Sequence, residues 1–133
     1  MLHGDYHVKN VMMQNGEVLL IDMDTLCTGN PVFELGSVYN AYIGFGIDDP
    51  KKVEDFMDLP YDLTAKIWKK FLKLYVGSDD EAKLKEVEDK AKLIGLMRLL
   101  RRTIRREPEN TGLIDMCKKE ICGILDRIDD LTL

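Results

Sequence analysis

Six polar residues near the amino terminus, His3, Asp5, His7, Asn10, Asp22 and Asp24, are of types that do chemistry and are spaced so that they could act together. Asp5 follows His-Gly, Asn10 comes after four intervening residues, and Asp22 closes the apolar run Val18-Leu19-Leu20-Ile21, with Asp24 two residues on. A globular core needs none of these groups. A carboxylate at Asp5 can receive the proton of an attacking hydroxyl. Side-chain oxygens at Asn10 and Asp22 are hard ligands suited to Mg2+ held against phosphates. A loop aspartate, four residues, an asparagine and then a strand-end aspartate is the order that phosphoryl transfer uses.

Such groups need a rigid support. Asn10 to Gln14 and Val18 to Ile21 read as short strands joined at Asn15-Gly16, the strongest short hairpin signal. Beyond them the pattern is helical. Pro31 to Ile43 follows a Gly-Asn-Pro turn, and a short helix is expected from Pro50 to Met57. Another begins near Asp62, a candidate N-cap, and stops at Gly77-Ser78. A long amphipathic helix is expected from Asp80 to Arg106, with Leu84, Val87, Ala91, Ile94, Met97, Leu100 and Ile104 along its apolar face. A last one spans Leu113 to Ile128. The expected fold is mainly α with a small N-terminal β-hairpin (α+β), in one domain of residues 1–133, of which 1–26 carry the chemistry and 27–133 the helical part.

Composition narrows the class. With 133 residues, 45% hydrophobic and 32% charged, the chain can build one sizeable core. No apolar run is long enough to span a bilayer and no signal peptide is visible, so no membrane association is expected. The three cysteines, Cys27, Cys117 and Cys122, are unpaired by spacing and point to a reducing, cytoplasmic setting with thiols as small core residues. A net charge of −5 argues against a general nucleic-acid binder.

HGDYHVKN followed by LLIDMD resembles the signature of the aminoglycoside phosphotransferase and choline kinase group, distant relatives of protein kinases. Matching positions are His3, Gly4, Asp5, His7, Asn10, Ile21, Asp22 and Asp24. The resemblance implies that Asp5 is the catalytic base, that Asn10 and Asp22 are magnesium ligands with Asp24 an accessory acid, and that His3 and His7 order the loop and the cofactor site. It implies ATP as cosubstrate and a small-molecule hydroxyl compound as acceptor. GNPVFELGSVYNAY resembles the family's next segment, with Asn30 and Glu34 where aspartates are usual; Val8-Lys9 stands for Pro-Gly. In such kinases a β-rich lobe with a phosphate-covering loop and an ATP-contacting lysine would come before His3. The expectation is therefore the C-terminal lobe of a protein-kinase-like fold without its N-lobe, inactive alone, and associating with further copies through the hairpin edge.

Other readings weigh less. A non-catalytic remnant or interaction domain that keeps the lobe's fold is the alternative from another class. LLIDMDTL also resembles a haloacid dehalogenase-like phosphatase motif, but one residue is missing from its turn. His3, Asp5 and His7 as a zinc triad would lack a further histidine, since the chain has two. The acids from Asp48 to Asp62 raise a cationic substrate, against the plainer reading of surface charge. Arg98, Arg101, Arg102 and Arg105 share a helix face, read as solvated and paired with acids elsewhere rather than as a phosphate stripe. Trp68 reads as core rather than as an ammonium cage.

Overall fold

The computed structural model describes all 133 residues. Val11–Gln14 (β1) and Glu17–Leu20 (β2) pair antiparallel, Val11 opposite Leu20 and Gln14 opposite Glu17. Asn15 and Gly16 take positive φ, 51° and 82°, as a tight turn between twisted strands requires. Five helices follow: Val32–Tyr42 (α1), Lys51–Met57 (α2), Tyr61–Val76 (α3), Glu81–Arg106 (α4) and Thr111–Leu125 (α5). The mainly α fold with an N-terminal hairpin is as expected. No helix is long and apolar enough to cross a membrane.

Local chemistry sets the helix ends. Asp80 caps α4, its Oδ1 accepting the amides of Ala82 and Lys83 at 2.9 and 3.3 Å. Asn30 does the same for Val32 (2.9 Å), and Asn110 for Leu113 (3.2 Å). Gly77, at φ 65°, ends α3 in the left-handed conformation. Asp62 does not cap α3. The helix starts earlier, behind Pro60, so Asp62 falls in the first turn and pairs with Lys66.

α1 is the hub. Its Leu35, Val38, Tyr39 and Tyr42 pack with Trp68 and Leu72 of α3, Tyr39 meeting the Trp68 ring edge-on at 5.6 Å. Trp68 is core, with its indole N–H donated to Glu88 at 2.8 Å. On the far side of α4, Leu93, Leu96 and Leu99 pack with Leu113, Cys117 and Ile124 of α5. Of the three thiols only Cys117 is a buried core group, and burial pushes its pKa up to about 11.

α1 and α4 cross at two glycines. A Cβ at Gly36 would meet Ile94 at 2.5 Å, and one at Gly95 would meet Tyr39 at 2.6 Å. Of the expected α4 face, Ala91 and Ile94 are buried and Leu84, Val87 and Leu100 pack against the core, but the face broadens past the crossing. Leu93, Leu96, Leu99 and Thr103 turn inward, while Met97 and Ile104 are half exposed. The hairpin buries little on either face; Met12, Met13, Val18 and Leu20 are all exposed.

A candidate phosphotransfer site on the N-terminal loop

The loop that carries Asp5 is clamped at both ends. Leu2 and Cys27 exchange backbone hydrogen bonds of 2.7 and 3.0 Å, and the Ile21 amide donates to the Asn10 carbonyl at 3.0 Å. Between these clamps side chains take over. His3 donates through Nε2 to the Ile21 carbonyl (3.0 Å), and its Nδ1 faces the Asp5 amide at 3.4 Å, so one ring joins loop and hairpin. The Thr25 hydroxyl donates to the His3 carbonyl at 2.6 Å. Gly4 sits at φ 84°, where any Cβ would also lie 2.9 Å from Thr25. Its amide donates to Glu34 Oε2 on α1 at 2.9 Å.

Asn10 is buried and spends its amide nitrogen within the loop. Nδ2 donates to the Asp5 carbonyl at 2.9 Å and lies 3.4 Å from both Asp5 Oδ2 and His7 Nε2. Its Oδ1 accepts no hydrogen bond and is not sealed from solvent. Asp22 follows β2 at φ 61°, a left-handed conformation that aspartate tolerates better than most residues, and its carboxylate caps nothing. Asp24 is exposed in the same turn. The structure thus brings His3, Asp5, His7 and Asn10 into one hydrogen-bonded cluster, with Asp22 one residue past the Asn10–Ile21 pairing. His3, Asp5 and His7 form no metal triad, because no three His, Cys, Asp or Glu side chains converge anywhere in the fold.

Asp5 is about half exposed and opens on a cleft of about 590 Å³. His7 lies beside it, buried, with its ring edge-on to Phe56 at 5.0 Å and its Nδ1 without a partner. Phe45 and α2's Lys52 and Phe56 form one wall; Leu99, Arg102 and Thr103 of α4 form another. Burial works to raise the Asp48 carboxyl, but hydrogen bonds from Lys52 (2.8 Å) and Asn110 (3.0 Å) outweigh it and hold the group below the usual carboxylate range. The volume suits a small molecule.

One comparison with known proteins matches this region. Residues 1–59 match the model of the phosphotransferase enzyme family. The resemblance read from HGDYHVKN and LLIDMD is borne out over this stretch, which holds the loop, the hairpin and α1. No curated protein and no solved structure matches the chain. Within the matched segment, Glu34 gains a definite task, holding the Gly4 amide from α1. Its sequence signal was its place in a segment where aspartate is usual. Phe45 lies in the same segment and carries no local signal; Arg102 lies beyond it and stood out only as one of a stripe of arginines, since the cleft gathers both from distant stretches.

Proposed function

We propose that the loop and hairpin are the catalytic side of an ATP-dependent small-molecule kinase that transfers the γ-phosphoryl group to a substrate hydroxyl. The observation that carries this is the division of labour at Asn10. Its nitrogen fixes Asp5, which leaves its oxygen free beside a carboxylate that opens on a cleft. An acceptor hydroxyl bound in the cleft would give its proton to Asp5 as its oxygen attacks the γ-phosphorus. The bond to the β-phosphate oxygen then breaks, and ADP leaves with that electron pair. Asn10 Oδ1 and the carboxylates of Asp22 and Asp24 are oxygen groups of the kind Mg2+ takes, and would hold it; bound there, the ion would offset charge on the phosphates. His3 and His7 keep the loop in shape around Asp5 and thereby position the base.

Two measurements test this reading. Mg2+ with ATP should shift the amide resonances of Asn10 and Asp22 in the purified chain, and Asp22→Asn should weaken that response. The 133 residues hold one two-stranded sheet, so ATP turnover by them alone should stay well below about 1 s⁻¹. In any form of the protein that does turn over, Asp5→Asn should lower kcat by roughly 10²–10⁴, the usual worth of a general base. Turnover unchanged by Asp5→Asn would end the proposal.

A further inference from the structure

We propose that the acceptor substrate carries an oxyanion, a phosphate or a carboxylate, and that Arg102 receives it; the inference rests on the phosphotransfer reading of the cleft. The preference rests on the one cation of the cleft that faces no acid, not on the cleft's summed charge. Asp48 is matched by Lys52 and Asn110, and Glu107 by the same Lys52 at 3.4 Å. Asp5 is kept for the acceptor proton. Arg102 is the one charged side chain of the cleft that is neither ion-paired nor assigned a chemical task. Its guanidinium lies 4.9 Å from the Phe45 ring centre, a stacking that orients the planar fork while leaving its edge free to donate.

Arg102 also belongs to a second groove of about 430 Å³, lined only by Arg98, Arg101, Arg102, Arg105 and Arg106. These are five of the chain's six arginines. None pairs with a carboxylate, and only Arg98 has a hydrogen-bond partner, the Ser37 hydroxyl. The stripe is solvated, as expected, but the expected pairing with acids is not made. Cations in the last turn of a helix gain from its dipole, but Arg98, Arg101 and Arg102 lie upstream of that turn. Like charges three and four apart oppose the helix. The repulsion is modest because all five are exposed, but an anion would relieve it, and guanidinium forks suit the paired oxygens of phosphate and carboxylate.

The acids that raised a cationic substrate lie elsewhere. Glu54, Asp55 and Asp58 frame a separate open cavity, and Glu54 accepts the Tyr61 amide at 3.1 Å. Of that segment only the matched Asp48 reaches the cleft. A substrate with its hydroxyl at Asp5 and its anion at Arg102 would lie across the cleft between Phe45 and Phe56.

The test is a titration of the purified chain followed by NMR, with inorganic phosphate, glucose 6-phosphate, gluconate and kanamycin as probes. Glucose 6-phosphate or gluconate should shift Phe45, Arg102 and Thr103 resonances saturably, and the tighter of the two names the oxyanion. Inorganic phosphate should compete with the phosphate ester. Arg102→Gln should weaken anion binding about tenfold or more, the worth of one charge-assisted hydrogen bond. Arg102→Lys should restore part of the loss, and Asp55→Asn should change nothing. No saturable response to any anion, or an unchanged response in Arg102→Gln, overturns the inference. Asp5→Asn should still bind the anion, which separates the two readings. Anion binding through Arg102 while Mg2+ with ATP leaves the Asn10 and Asp22 resonances unmoved sinks the phosphotransfer reading alone, and phosphorylation of kanamycin by any form of the protein that turns over sinks the anionic substrate alone.

Discussion

Glu34 reaches from α1 to the loop with one oxygen and leaves the other, Oε1, buried without a partner. A half-satisfied carboxylate in that place is costly, so its contact with Gly4 must hold the loop firmly enough to compensate. Glu34→Ala should free the Gly4 amide and raise its hydrogen-exchange rate, while global stability changes by only about 1 kcal/mol, because the helix core is untouched. Glu34→Gln keeps an acceptor oxygen and should retain most of the protection. If Gly4 exchanges at the same rate in Glu34→Ala, the contact is not what orders the loop. At this scale the sequence was informative for Asp5, Asn10 and Asp22, whose spacing is short and chemical. It was silent on Thr25, whose hydroxyl matters only once the chain has returned beside His3.

At the scale of elements, the α1–α4 crossing sets two opposing effects against each other. Alanine at Gly95 would gain about 1 kcal/mol of helix propensity. It would also drive a methyl group to 2.6 Å from Tyr39 and 3.1 Å from the Gly36 carbonyl, and overpacking of that kind costs about 1–3 kcal/mol or more. The backbone carbonyl cannot step aside, so the clash wins. Gly95→Ala should lower the midpoint of urea unfolding, whereas Gly112→Ala, with open space around it, should not. The contrast also explains what could be read beforehand. The hairpin, the Asp80 cap and the Gly77 stop are local, set by residues within a few positions of each other. Which face of α4 turns inward depends on glycines in two different helices, and a periodic apolar pattern alone could not choose between Met97 and Leu96. The cleft was hidden for the same reason, since Phe45 and Arg102 meet Asp5 only through the packing of α2 and α4 on α1.

For the whole molecule, acid is the expected weakness. Burial of Asp89 works to raise its carboxyl, but Arg127, paired through two bonds of 2.8 and 3.0 Å, and Lys85 outweigh it and hold it below the ordinary range. Asp48 is shifted the same way. Each carboxyl is more acidic folded than unfolded, so its contribution is complete above about pH 4, the unfolded value, and fades as pH falls through the lower folded one. The melting temperature should be nearly level from about pH 5 to 8 and drop below about pH 4, with a gentler drop in Asp89→Asn. A steady decline starting at neutral pH would contradict this. The glycine crossing has one more consequence, for the nascent chain. It joins Gly36 to residues 94 and 95, and the loop bearing Asp5 leans on α1 through Glu34. At a synthesis rate of roughly 5–20 residues per second, α4 leaves the ribosome on the order of 5–20 s after Asp5. Until then α1 lacks the helix it packs against. The loop and hairpin thus wait for a helix made well after them, and throughout that interval the exposed methionines of the hairpin are open to whatever binds nascent chains.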